Sequence, residues 1–222
     1  DDLVSLPDLA PTFLEAGGVE PPAVMTARSL WSVLQAKSEG QVDPARSQVF
    51  MGRERHVEMA RAGYLPYPQR AIRTANYALI INFKPDRYPL GDPYLLDSDH
   101  PPSTDDVTET TFVTLPDEDA GPTKAWLVDH RDDSEWKSTF QMAYGKRPRE
   151  ELFDLRKDPH QMHNVAGDPA YEQVLTDLRK RLMDELISSG DPRVVNDGEF
   201  FETPPMAGPL PGDVPHPNRT KK

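Results

Sequence analysis

Proline occupies 24 of the 222 positions, well above the usual share of about 5%. Each proline fixes φ and removes a backbone donor. Regular elements must therefore be short, with long connecting segments between them. Hydrophobic residues make up 36% of the chain, enough for a core in one large or two small domains.

The longest predicted element runs from about Pro169 to Ile187. Asp168 fits the N-cap, Pro169 the first helical position and Gly190 the exit. Tyr171, Val174, Leu175, Leu178, Leu182 and Leu186 recur at helical spacing and form one core-facing stripe. Shorter helices are predicted over 7–16, with Leu9, Phe13 and Leu14 on one face, and over 30–35, with Leu30, Trp31 and Leu34 on the buried side. Two more are predicted over 122–129 and 134–144. Strands are predicted over 47–51, 69–74, 77–83 and 151–155. Ala75-Asn76 suits a tight hairpin between the second and third, since Asn tolerates positive φ. Residues 84–122 show no sustained period and read as a long irregular excursion, either functional or poorly ordered. Residues 203–222 read as a wrapping or disordered tail. The fold class that follows is α+β: a small four-stranded antiparallel sheet packed against a C-terminal helix, with long irregular loops.

Charge is distributed unevenly. The formal net charge is -12, yet Arg46, Arg53, Arg55, Arg61, Arg70 and Arg73 face only Glu54 and Glu58 within one window. Guanidinium's planar fork suits sulfate, phosphate or carboxylate, so the window is a candidate anion pocket. Gly52-Arg53-Glu54-Arg55-His56 follows a predicted strand, where functional side chains often project. Arg53, Arg55 and His56 are the candidate anion contacts. Glu54 would hold an arginine or meet hydroxyls. The alternative is that these charges pair with the acidic remainder of the chain. Arg70 and Arg73 sit three apart on a strand and point to opposite faces, so only one of them can join such a site. The acidic balance argues against nucleic-acid binding, and no apolar run is long enough to span a membrane.

Other chemistry is sparse. There is no cysteine, hence no thiol nucleophile and no Cys-ligated zinc. His160 and His163 share an i, i+3 spacing but lack a third ligand. Asp105-Asp106, Asp117-Glu118-Asp119 and Asp132-Asp133 lack the spacing of a calcium loop and read as solvated turns. No Gly-X-Ser-X-Gly and no Walker loop occur. The chain opens without Met or a signal peptide, as though in the middle of a protein, so a fragment or processed chain is expected.

Two segments resemble the sulfatases. Ser5-Leu-Pro-Asp-Leu-Ala-Pro-Thr-Phe-Leu-Glu-Ala-Gly-Gly-Val19 resembles the helix that follows their catalytic half. Glu151-Leu-Phe-Asp-Leu-Arg-Lys-Asp-Pro-His-Gln-Met-His-Asn-Val-Ala166 resembles a segment of their C-terminal subdomain, with Phe153 in place of the common Tyr. Gly52 to His56, Tyr67 to Arg73 and Tyr77 to Pro89 look like the sulfamidase-related branch. The resemblance spans roughly residues 3–190. It implies that 1–40 end the α/β catalytic domain, that 41–190 form the C-terminal subdomain, and that 191–222 are a proline-rich tail. It implies an alkaline-phosphatase-like hydrolase of saccharide sulfate esters or N-sulfates, periplasmic, secreted or lysosome-like. The full-length enzyme would use formylglycine, made from a Cys/Ser-X-Pro-Ser-Arg motif, and calcium. Neither that motif nor the calcium carboxylates fall in this chain, so no catalytic or metal residue is expected here and the chain alone is expected to be inactive. His56, Arg53, Arg55, Glu54 and Arg70 are the expected substrate-binding residues. The expected partners are a sulfated saccharide and the missing N-terminal catalytic domain. The alternative is a non-catalytic module that binds anionic glycans or a partner protein.

Overall fold

The computed structural model describes residues 1–203. Its centre is a four-stranded antiparallel sheet in the order β1-β2-β3-β4, with β1 at Gln48–Arg53, β2 at Gln69–Thr74, β3 at Tyr77–Asn82 and β4 at Glu150–Asp154. Only Ala75 and Asn76 separate β2 from β3, which forces a tight hairpin. Thr74 Oγ1 closes it by accepting the Tyr77 amide at 3.0 Å. In β3, Ala78, Leu79, Ile81 and Asn82 are all buried, the pattern of a strand covered on both faces. In β2, Arg70 and Ile72 are buried while Arg73 is only half-buried.

The helices are α1 (Leu9–Ala16), α2 (Trp31–Gln35), α3 (Thr104–Glu109), α4 (Pro122–Asp129), α5 (Lys137–Tyr144), α6 (Glu172–Ser188), α7 (Pro192–Val195) and α8 (Glu199–Glu202). Contacts group the chain into two compact units. One holds Asp1–Met51, Ala71–Ile80 and Glu151–Leu182, and the other holds Gly52–Arg70, Ile81–Glu150 and the described residues from Met183 onward.

In the first unit, Arg46 is a clasp. Its Nη1 donates to Asp8 Oδ2 at 2.8 Å, and its Nη2 donates to the Arg28 and Ser29 carbonyls at 2.8 Å each. Thr12 Oγ1 accepts the Leu30 amide at 2.8 Å. These polar bonds turn Asp8, Pro11 and Thr12 inward. Of the apolar face predicted for α1, Phe13 is 69% exposed and Leu9 38%, while Leu14 is half-buried. At α2, Leu30 is buried as expected, but Leu34 is 66% exposed.

The segment after β4 is built on side-chain oxygens that accept backbone and guanidinium donors. Asp154 is gripped by Arg156 Nε and Nη2 at 2.8 Å each, and by the Tyr171 hydroxyl at 3.2 Å. Chiefly through the Arg156 hydrogen bond, its carboxyl is pulled down to about 2. Asn164 Oδ1 accepts the amides of Leu152 and Ala166 at 2.9 Å each. Asp158 Oδ2 accepts the His163 amide at 2.8 Å. Asp168 accepts the Ala170 amide at 2.9 Å and so starts the turn that leads into α6. Leu175, Leu178, Leu182 and Leu186 are buried along α6. Arg181 of α6 reaches Gln48 of β1, Nε to Oε1 at 3.0 Å, and Tyr77 meets Tyr171 edge-on at 6.5 Å.

In the second unit, the stretch after β3 is largely irregular, as expected, but it contributes to a packed core. Leu96, Val107, Leu115, Ala125, Val128, Phe140 and Tyr144 pack into one core, drawn from α3, α4, α5 and the loops between them. The missed element is α3. Its signal is a capping box, with Ser103 Oγ accepting the Asp106 amide at 3.2 Å and Asp106 Oδ2 accepting the Ser103 amide at 3.0 Å. Lys124 is buried, and its ammonium donates to the carbonyls of Thr111, Leu115 and Glu118 at 3.2, 3.1 and 2.8 Å. Burial pushes that ammonium down to about 8, against the pull of Glu118 and Asp119. All three donors are used to fix the loop 111–118. Part of the 191–222 stretch is structured: 191–203 carries α7 and α8. The remaining 204–222 lie outside the described residues.

Candidate functional site

The site begins with three loops tied together through residues 88–92. The Asp92 amide donates to the Ala60 carbonyl at 2.8 Å, and Asp92 accepts the amides of Ala62 at Oδ2 (2.9 Å) and Leu115 at its carbonyl (3.0 Å). The Asp117 amide donates to the Leu90 carbonyl at 3.0 Å. Arg61 is buried and donates Nε to the Tyr88 carbonyl and Nη2 to the Pro89 carbonyl, each at 2.7 Å. The crossing point needs Gly91, whose φ is +97° and where a Cβ would sit 2.5 Å from Pro116 Cδ and 2.9 Å from the Ala60 carbonyl oxygen.

This framework delivers Asp117 into the middle of the arginine window. Its side chain is fully buried, while the His56 side chain is 70% exposed. Asp117 Oδ1 lies 3.1 Å from His56 Nδ1 and accepts the Val57 amide at 3.1 Å. Its Oδ2 accepts Arg61 Nη2 at 3.1 Å and also Arg53 Nη2. One carboxylate thus holds two guanidiniums and an imidazole. Burial lowers the Arg61 guanidinium from its ordinary value, opposed by the hydrogen bond to Asp117. The Arg53 side chain is 32% exposed, so Arg53 and His56 are the members of this cluster that reach solvent.

Glu54 and Arg70 belong to a second network, also within this unit. Arg70 donates Nε and Nη2 to Asp191 at 2.6 and 2.9 Å and Nη2 to Glu54 Oε1 at 2.8 Å. Glu54 also accepts Arg193 Nε at 3.1 Å and Nη2 at 2.6 Å. Arg193 Nη1 continues to Glu202 Oε1 at 2.8 Å, and Arg87 Nη2 ends the chain on Glu202 Oε2 at 2.8 Å. Burial alone would lower Arg70 and Arg193, but Asp191, Glu54 and Glu202 hold both above their ordinary values. Burial would likewise raise the Asp191 and Glu202 carboxyls, and their arginine bonds hold both below the ordinary value. Gly52 lets Arg70 lie close to β1, since a Cβ there would be 3.0 Å from Arg70 Cδ. Arg55 ties two loop carbonyls, those of Tyr64 and Phe201.

The five sequence candidates therefore separate. His56 and Arg53 come together at the surface over Asp117. Glu54 and Arg70 pair inside the second network, and Arg55 braces backbone. The residue that sequence reasoning missed is Asp117, which sits in an acidic run that resembles a solvated turn. Among the described residues, no group of three or more His, Asp or Glu side chains could hold a metal ion.

The chain is homologous to sulfatases and matches a C-terminal part of them. Human N-sulphoglucosamine sulphohydrolase is 30% identical over 204 residues, which is 86% of this chain and 34% of that protein. An ulvan-active sulfatase of Formosa agariphila is 23% identical over 199 residues, 90% of this chain and 28% of that protein. The chain thus spans about a third of the length of the curated relatives it matches. Among solved structures, one in complex with its substrate D-glucosamine-2-N,6-O-disulfate aligns with a TM-score of 0.46 at 19% identity, over 83% of this chain and 24% of that one. A 2-O glycosaminoglycan sulfatase gives the same TM-score and identity over 83% and 25%. No family model matches the chain.

Proposed function

We propose that this chain is the C-terminal subdomain of a sulfatase acting on a sulfated saccharide, and that it supplies part of the substrate-binding wall. One observation carries the reading: in a chain of net charge -12, the partly exposed side chains of Arg53 and His56 both bind one buried carboxylate, Asp117. A guanidinium and an imidazole so placed offer hydrogen bonds to the sulfate or carboxylate oxygens of a sugar. Arg70 also donates Nη1 to the Arg53 carbonyl at 3.3 Å, and Glu54, Arg70 and Arg55 hold residues 191–202 in place.

In this reading the sulfur chemistry belongs to residues upstream, where formylglycine would supply the nucleophile and calcium would offset sulfate charge. This chain's residues bind and orient the sugar. The outward apolar side chains of Leu6, Leu9 and Phe13 fit a surface covered by that upstream domain. Export from the cytoplasm, which the family resemblance implies, belongs to the same reading. Among the described residues no helix is long and apolar enough to cross a membrane.

The test extends the reading frame upstream to a segment encoding Cys/Ser-X-Pro-Ser-Arg and expresses the longer protein. His56→Ala and Arg53→Ala are expected to lower kcat/KM for sulfate release from a sulfated disaccharide by roughly tenfold or more, the loss of one charge-assisted contact. Unaltered kinetics in both variants, or the absence of such a frame, would overturn the proposal.

A further inference from the structure

The His56 imidazole has one nitrogen, Nδ1, engaged. Nδ1 lies 3.1 Å from Asp117 Oδ1, and the ring is otherwise mostly exposed. Asp117 is fully buried and cannot follow a mobile ring, because the Val57 amide, Arg61 Nη2 and Arg53 Nη2 also hold it. Arg61 is itself fixed by two backbone carbonyls. The carboxylate is thus a rigid acceptor placed behind the imidazole.

We propose that Asp117 is the positioning residue of the site: it fixes His56 as the Nδ1–H tautomer, with Nε2 turned outward to meet a hydroxyl or anionic oxygen of the saccharide. The inference rests on the reading of His56 as a substrate contact. A carboxylate accepts and never donates when ionised, so the nitrogen facing it must carry the proton. The hydrogen bond made by one ring nitrogen decides the state of the other. An unconstrained histidine favours the opposite tautomer, with the proton on Nε2. Asp117 therefore inverts the ring. Neutral His56 then presents a bare lone pair, an acceptor for a sugar hydroxyl. Protonated, the same nitrogen becomes a donor to sulfate or carboxylate. The same carboxylate anchors Arg53, so guanidinium and imidazole keep a fixed spacing whichever form the ring takes. Recognition of the sugar then begins with an acidic residue that never touches it.

The test is long-range 1H–15N NMR on the histidine-labelled 222-residue chain above neutral pH, with His56→Gln to assign the resonance. The wild-type ring is expected to be predominantly Nδ1–H. Asp117→Asn is expected to move it toward Nε2–H, and Asp117→Glu to restore part of the wild-type pattern. A wild-type ring that is predominantly Nε2–H overturns the inference, and that single spectrum decides the matter even if the Asp117 variants fail to fold. A second arm titrates an N-sulfated heparin disaccharide. Asp117→Asn is expected to weaken binding by roughly tenfold, the size of one charge-assisted hydrogen bond. No binding to wild type, with the Nδ1–H tautomer still in place, would refute the substrate reading and leave the positioning role intact. A folded Asp117→Asn chain with Nδ1–H unchanged would refute the positioning role.

Discussion

Replacing Glu54 with Gln asks whether the inner ion-pair network is structural. Glu54 accepts three hydrogen bonds from two guanidiniums, at 2.8, 3.1 and 2.6 Å. The Arg70 and Arg193 side chains are only 6% and 1% exposed, so water cannot replace what is lost. Glutamine keeps the shape and one carbonyl oxygen, but its amide would face a guanidinium donor. Breaking a buried pair from one side costs roughly 3–5 kcal/mol. Arg70 keeps Asp191 and Arg193 keeps Glu202, so the lower end, about 3 kcal/mol, is expected. With a urea slope of about 2 kcal/mol/M, the midpoint should fall by about 1.5 M. The assay is urea unfolding followed by circular dichroism, with His56→Ala as an exposed control that shifts little. A Glu54→Gln midpoint within about 0.3 M of wild type would refute the reasoning and make Glu54 available for ligand.

Acid should release the same network, because Asp191 and Glu202 sit below their ordinary values of 3.8 and 4.5. The folded form holds these protons more weakly than the unfolded chain, so the pairs stabilise above about pH 4 and are lost as pH falls further; hydrogen exchange should show α7 and α8 opening first. Lys124→Met strands three carbonyls in the core and should lower stability by about 3 kcal/mol, with amide protection lost over 111–118. Gly91→Ala forces positive φ on a residue whose Cβ overlaps Pro116, so a loss above about 3 kcal/mol is expected, read by thermal melting. Phe13→Ser should leave the melting temperature of this chain nearly unchanged, since that ring is mostly exposed.

The sheet was legible because its signals are local. Two residues between β2 and β3, and an apolar run through Leu79, Ile80 and Ile81, leave few other arrangements. Helix α6 was legible from its stripe and from Asp168 and Gly190 at its ends. Helix α3 was not, because only Val107 of its six residues is buried, and a capping box without an apolar stripe passes for a turn. The α1 face was misread in part for a different reason: the charged clasp of Arg46 on Asp8 draws Asp8, Pro11 and Thr12 inward, and Leu9 and Phe13 stay exposed. Pattern singled out Arg53 and His56, the two candidates that meet at Asp117. It did not find Asp117, whose role depends on a loop 60 residues further on folding back. Long-range pairing of one acidic residue leaves no periodic trace in sequence.

Residues 53–70 of the arginine window thus form two clusters, an inner ion-pair network around Glu54 and Arg70 and a partly exposed one around Asp117. Backbone amide NMR of the chain, titrated with an N-sulfated glucosamine disaccharide, separates them most directly. Shifts concentrated at residues 53–57 and around Asp117, abolished by His56→Ala, are the predicted outcome. Shifts scattered over the surface, or unchanged by that substitution, would contradict an outward-facing sugar site built on His56 and Arg53.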